Sequence, residues 1–228
     1  MTRKKQYFIT GTDTDAGKTY FSSGLLAAGV RRQLKSIGLK PVAAGADYEN
    51  GVLRNDDALA LMASSNTLLP YEQVNPVVLR APVSPHIAAK QENKIIRVAQ
   101  LTGYVKGALI TPHDLAVVEG AGGWRVPLND REMMSDLALS LSLPVILVVN
   151  MKLGCINHAM LTAESILRDG LPLVGWIANG KDKMLCYEEN IQTLIRGMPA
   201  PFLGELSYSD EHNASEFDVI LAKLLGDN

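Results

Sequence analysis

The chain has 228 residues, 47% hydrophobic but only 6% aromatic, and its 22 lysines and arginines against 24 acids leave a net charge of −2. That is enough aliphatic material for a single enlarged α/β domain whose core needs neither disulfide nor metal, and it excludes a disordered chain and a polybasic binder of nucleic acid or lipid. No run approaches the ~18 apolar residues of a membrane span, no signal-peptide core follows the basic N-terminus, and Cys155 and Cys186 form neither a CxxC pair nor a metal-ligand spacing, so a cytoplasmic protein with two structural cysteines is expected.

In chain order, a strand at 6–10 runs into Gly11-Thr12-Asp13-Thr14-Asp15-Ala16-Gly17-Lys18-Thr19. A helix starts near Gly17, because Phe21, Leu25, Leu26, Val30 and Leu34 recur at helical spacing. A strand at 36–40 closes on Lys40, a helix at 56–64 opens with Asp56 and Asp57, and a strand is expected at 76–79. Ser84-Pro85-His86 reads as a helix cap with proline at the first helical position. Helices at 95–108, 135–142, 156–169, 187–197 and 215–225 then alternate with strands at 115–119, 145–150, 173–178 and 202–206. Several strands are too uniformly apolar to have a wet face, so the alternation predicts a doubly wound, mainly parallel sheet with helices on both faces, and ligands beyond the carboxyl ends of its strands.

The segment from Gly11 to Thr19 has the context of a phosphate loop: a strand before it and a helix after it. Its glycines let backbone wrap an anion, the helix N-terminus offers unpaired N–H groups, Lys18 reaches β/γ-phosphates and Thr19 offers a hydroxyl to Mg²⁺. With five residues between Gly11 and Gly17 where the common pattern has four, it is an extended variant. Glu119 ends an apolar run and leads into Gly120-Ala121-Gly122-Gly123, where a carboxylate can hold Mg²⁺ and small residues admit a ligand; a charged strand end with a loose turn is the plainer alternative. Lys40 falls on the same predicted rim as Lys18, although a strand-terminal lysine is commonly a solvated surface group. Asp56 and Asp57 are most simply a helix start, and Asn179 either reads an adenine edge or sits in a turn. The histidines, His86, His113, His158 and His212, show no metal-ligand or nucleophile spacing, so catalysis is expected to rest on charge.

Taken together, Gly11 to Thr19, Lys-Pro-Val-Ala at 40–43, Leu-Arg-Asn-Asp-Asp-Ala at 53–58, Ser-Pro-His at 84–86, Glu-Gly-Ala-Gly-Gly-Trp at 119–124 and Leu-Gly-Cys-Ile-Asn-His-Ala at 153–159 closely resemble the dethiobiotin synthetases, P-loop enzymes of biotin synthesis. The likeness runs nearly end to end. It implies a homodimer that converts 7,8-diaminononanoate, CO₂ and ATP with Mg²⁺ to dethiobiotin, ADP and phosphate, through a carbamate and a carbamic–phosphoric anhydride. It also implies catalytic roles for Lys40, Lys18 and Thr14, and a magnesium site of Thr19, Asp57 and Glu119. Nucleotide contacts are implied for Asp15, Ala16, Gly17, Lys18, Thr19, Tyr20, Gly120, Ala121, Gly122, Asn179, Gly180, Ser207, Tyr208 and Ser209. Lys40, Ala44 and Asn157 would meet the substrate, Asn157 across the dimer interface. The chain departs from the family at Ala44, commonly Ser, and at Gly180, often Asp. Asn190 aligns with a tyrosine that holds the carboxylate tail in some members, and Tyr187 is not assumed to replace it. A cobyrinate-type amidoligase and a nucleotide-switch ATPase that controls a partner protein stay open as alternatives.

Overall fold

The computed structural model describes residues 4–180, 184–207 and 212–227. In chain order it runs β1 (Lys5–Gly11), α1 (Lys18–Arg31), β2 (Ser36–Leu39), β3 (Val42–Ala44), β4 (Asp47–Glu49), β5 (Val52–Arg54), α2 (Asp56–Ala63), α3 (Tyr71–Val74), β6 (Val77–Leu79), α4 (Pro85–Gln91) and α5 (Val98–Ala108). It continues with β7 (Leu115–Gly123), α6 (Met134–Leu141), β8 (Val145–Asn150), α7 (Cys155–Arg168), β9 (Leu173–Gly180), α8 (Tyr187–Gly197), β10 (Phe202–Ser207) and α9 (Ala214–Leu225).

Six of the described strands form one parallel sheet in the order β10-β9-β8-β1-β7-β2. Alternation along each strand divides its side chains between two cores, because successive Cβ atoms point to opposite faces. On β8, Val145, Leu147 and Val149 join Leu101, Leu137, Ala163 and Leu194 on the face covered by α5, α6, α7 and α8, whereas Ile146 and Val148 join Phe21, Leu25, Phe217 and Leu221 under α1 and α9. Both faces are therefore dry, which is why the strands read as unbroken apolar runs. Gly24 lets α1 and α9 close on each other: a Cβ there would lie 2.2 Å from the Phe217 ring.

The run at 76–79 does form a strand, but outside the main sheet. β6 pairs with β3 in a separate two-stranded parallel sheet. The cause lies at Lys40-Pro41, where β2 ends as an edge of the main sheet: Pro41 has no N–H to continue a ladder, Lys40 N donates to Val74 O at 2.9 Å, and the redirected chain pairs with β6. The short antiparallel hairpin β4–β5 also went unanticipated; its turn is Asn50-Gly51, both at positive φ, as a two-residue hairpin turn demands. The helix expected from residue 95 starts at Val98, whose N–H is taken by Glu132 Oε2 at 3.1 Å.

β1 is the strand from which connections diverge, to β2 and β7 on one side and to β8, β9 and β10 on the other. The loop after β1 consequently opens at the switch point of the sheet, where ligands of this architecture bind.

Candidate active site

Gly17, at φ 90°, turns the loop after β1 into the first residue of α1, Lys18. A left-handed backbone favours glycine, and the site adds a second requirement: a Cβ on Gly17 would fall 2.1 Å from Asn179 Nδ2. Asn179, buried at the end of β9, donates that Nδ2 to Ala16 O at 2.9 Å. The loop is further fixed by Thr12 Oγ1, which accepts from Asn150 N at 3.1 Å, and by Asp13, whose carboxylate pairs with Lys152 at 2.5 Å and accepts from Thr14 N at 2.8 Å. Lys18 Nζ donates to Asp13 O at 3.3 Å.

Three separate segments then converge below the loop. Lys40 Nζ lies 2.6 Å from Glu119 Oε1 and 2.8 Å from Asp57 Oδ2, and Thr19 Oγ1 donates to the same Glu119 oxygen at 2.8 Å. The Lys40 and Glu119 side chains are 4% and 0% exposed. Burial by itself would lower the Lys40 pKa, but the charges of Glu119 and Asp57 and their hydrogen bonds outweigh it and hold the ammonium above the ordinary lysine range. Burial likewise acts to raise Asp57, and Lys40 overcomes it, leaving that carboxyl below its usual range. Lys18 goes the other way: burial and the like charge of Lys40 push it down to about 8, against a partial pull upward from Glu119, Asp57 and Asp15.

These groups border a cavity of about 810 Å³. Thr14, Asp15, Gly17, Lys18, Thr19, Tyr20, Lys40, Ala44, Asp57, Ala121, Gly122 and Asn179 line it. Ala16 and Glu119 lie buried just behind, and Gly120 offers its carbonyl to Lys40 at 3.3 Å. Asp57 sits in the first turn of α2, as the helix-start reading had it, and also pairs with Lys40, a contact the sequence did not indicate. Asn157 is exposed on the first turn of α7 and does not line the cavity. Ser207 O accepts from the Tyr20 hydroxyl at 3.2 Å, while Tyr208 and Ser209 lie outside the described residues. Cys155 is buried, but Cys186 is exposed at a left-handed helix cap, a poor fit to the structural reading.

Sequence reasoning missed the wall opposite the loop, formed by Ala43, Gly45 and the stretch from Pro82 to Pro85. It also gave Glu216 no role, yet that carboxylate holds Ser207 through its N–H at 3.2 Å and its hydroxyl at 2.9 Å. Gly180 has no positive φ; a Cβ there would stand 3.0 Å from the Tyr187 ring, so a side chain would need that ring to shift. Asn190 spends its amide on Cys186 O at 2.7 Å.

A magnesium ion suits this donor set. Glu119 Oε2 is fully buried without a hydrogen-bond partner, and a buried acceptor left unpaired beside a hydroxyl and a second carboxylate is what a hard cation or its water satisfies. No cluster of three or more His, Cys, Asp or Glu suited to a metal occurs among the described residues, so such an ion would take its other ligands from water and phosphate.

A family model described as an AAA domain matches residues 5–216. The ATP-dependent dethiobiotin synthetase BioD of Cellvibrio japonicus is 57% identical over 202 residues, covering 88% of each chain. The enzyme of that name from Marinobacter nauticus is 43% identical over 224 residues, 97% of this chain and 96% of its own, and one from Pseudomonas aeruginosa is 49% identical over 90% of both. Among solved structures, the septum site-determining protein MinD of Pyrococcus horikoshii, complexed with Mg-ADP, superposes with a TM-score of 0.63 at 16% identity over 97% of this chain and 96% of that one. A ParA family ATPase from Chlorobium tepidum gives 0.56 at 11% identity, over 99% and 98%; both likenesses speak to fold alone.

Proposed function

The chain belongs to the ATP-dependent dethiobiotin synthetase family, and from that premise we propose how its residues carry the reaction. The enzyme joins 7,8-diaminononanoate and CO₂ at the expense of ATP, giving dethiobiotin, ADP and phosphate. One amine captures CO₂ as a carbamate, the γ-phosphate is transferred to that carbamate, and the second amine attacks the anhydride to close the ring. No protein nucleophile is needed. What the protein must supply is alignment of the reacting partners and compensation of crowded negative charge.

The observation that carries the assignment of roles is Lys40 Nζ, buried within 2.8 Å of two carboxylates on the same cavity as Lys18. Lys40 faces the carbamate and the transferring phosphoryl group, Lys18 and Thr14 share the γ-phosphate, and the backbone from Asp15 to Tyr20 wraps the phosphates. Thr19, Asp57 and Glu119 would hold Mg²⁺, which when bound neutralises charge on the β- and γ-phosphates. Asn179 keeps Oδ1 for the base after its Nδ2 has fastened the loop, and Ser207 borders the nucleotide. Ala121 and Gly122 keep the wall low beside the phosphates, and Ala44, which has no hydroxyl, leaves the diamine fewer partners there.

We further propose a single-domain cytoplasmic homodimer. Asn157 is exposed at the start of α7 beside Leu153, which is 92% exposed; both suit contact with a second copy, where Asn157 meets the substrate carboxylate. No helix among the described residues is long and apolar enough to cross a membrane.

The test is a reaction with labelled bicarbonate followed by mass spectrometry. One labelled carbon in the ring, with ADP release dependent on both diamine and bicarbonate, is expected. Brisk hydrolysis without them would favour a nucleotide switch.

A further inference from the structure

Ser84-Pro85-His86 has the sequence of a helix cap, yet the Ser84 hydroxyl makes no capping bond to α4. It lies 3.0 Å from His86 Nδ1. Ser84 also lines the cavity, and on the wall built by residues 43–45 and 82–85 it is the one polar side chain among the described residues. Everything else there is alanine, glycine, proline or valine. Pro85, buried at the first helical position, fixes the backbone between the two partners, and His86 is half-buried, with an outlet to solvent.

The proposed reaction needs a proton acceptor that the phosphate side does not offer. In a vicinal diamine the two ammonium groups repel, so near neutrality one nitrogen is largely free while the other holds its proton with a pKa near that of lysine, about 10, and must lose it before it can attack. Near neutrality Lys18 and Lys40 are cations, Asp57 is engaged with Lys40, and Asp15, the other carboxylate of the lining, belongs to the phosphate loop. We propose that Ser84 and His86 form a proton relay for the substrate diamine, Ser84 as the catalytic residue touching the amine and His86 as the positioning residue and acceptor behind it. This rests on the reaction assigned above. The ammonium gives its proton to Ser84 Oγ while the hydroxyl hydrogen passes to His86 Nδ1. The amine keeps the N–H electron pair with which it attacks carbon, and the imidazolium loses its Nε2 hydrogen to water and returns to the Nε2–H tautomer by proton exchange with water before the next turnover. One proton enters the relay and one leaves; no electron changes hands. Donation from Ser84 to Nδ1 requires neutral His86 with its hydrogen on Nε2.

α4 packs on β3 and β6, neither of which carries an ionisable side chain, and the charges along its own chain are Lys90 and Glu92. Across the cavity, Lys18, Lys40, Asp15, Asp57 and Tyr20 share the lining with Ser84.

The experiment measures dethiobiotin formation and ADP release by wild type, Ser84→Ala, His86→Gln and the double variant between about pH 6 and 9. A relay predicts that each single change lowers kcat about 10²-fold near neutrality, that the double variant is no worse than either, and that KM for ATP stays within about twofold. The deficit should shrink toward the alkaline end, where the unprotonated fraction of the diamine rises about tenfold with each pH unit. His86→Gln retains an acceptor for the Ser84 hydroxyl, so a purely structural pair would be spared by it. Wild-type kcat and pH profile in His86→Gln, or an equal loss at every pH, overturns the relay while leaving the reaction intact. Failure of the wild-type enzyme to form dethiobiotin removes the reaction and the relay together.

Discussion

Removing the Lys40 ammonium should cost stability as well as turnover, and the two effects can be separated. In Lys40→Met the Glu119 carboxylate, 0% exposed, loses a partner at 2.6 Å and retains the Thr19 hydroxyl at 2.8 Å as its remaining side-chain donor. Breaking a buried pair from one side typically costs about 3–5 kcal/mol, because the surviving charge has no water and loses its hydrogen-bonded counter-ion, Lys18 staying as the more distant cation. No discount for solvent applies at 4% and 0% exposure, whereas the Asp57 arm, 42% exposed, adds little. For a chain of this size each kcal/mol moves the thermal midpoint by about 2–4 °C, so the single variant should melt roughly 6–20 °C below wild type. Adding Glu119→Gln removes the stranded charge, and the double variant should recover most of the loss while still forming no dethiobiotin. Thermal unfolding in the presence of a metal chelator, with nucleotide binding and product formation measured in parallel, is the assay. A single variant that melts with wild type, or a double variant no more stable than the single, would refute the reading of Lys40 and Glu119 as a mutually dependent buried pair.

Gly24→Ala drives a Cβ to 2.2 Å from the Phe217 ring; overpacking of about 1–3 kcal/mol is expected, offset only in part by the ~1 kcal/mol helix preference of Ala over Gly, and denaturant unfolding reads the balance. Lys152→Ala breaks a pair whose side chains are 46% and 44% exposed, so stability should change by less than about 1 kcal/mol; a larger shift in the urea midpoint would show that Asp13 depends on that lysine to hold the loop. His212 is held below the ordinary histidine value of 6.5, first by burial and then by Arg31. Its neutral form accordingly favours the folded chain. That contribution is complete above 6.5 and is lost as pH falls from there through the lower folded value, since the unfolded chain binds a proton that the folded one resists. Melting curves across this acid range should show a steeper decline for wild type than for His212→Asn.

Much of the architecture was legible because both faces of the main sheet are dry. A strand such as 145–150 is buried from Val145 to Val149 and polar only at its closing Asn150, and its predicted and observed bounds coincide. The stretch 76–79 has the same local character, and nothing in its letters distinguishes pairing with β3 from pairing in the main sheet; Pro41 decides that from 36 residues away. Site residues followed the same division. Gly17, Lys18 and Thr19 are local to a loop whose geometry their own residue types impose. The contact between Lys40 and Glu119 spans 79 positions, and only the adjacency of β2 and β7 brings it about. Ser84 was read as a cap because a serine followed by proline at the first helical position is a helix-start signal, and a cap and a relay differ in where the hydroxyl points.

Lys40 is claimed by two carboxylates on one side and, in the proposed reaction, by phosphate and carbamate oxygens on the other. That arrangement explains why a lysine, not a neutral donor, belongs there. A buried ammonium whose pKa is held high by Glu119 and Asp57 is charged before substrate arrives, and in the proposed reaction it exchanges carboxylate partners for anionic substrate oxygens. Lys18, pushed down to about 8 chiefly by burial and by Lys40, is the more responsive of the two: any anion brought into the cavity offsets the repulsion from Lys40 and draws its pKa upward. The pair thus divides the work, with one cation fixed by the protein's own charges and the other completed by the substrate's.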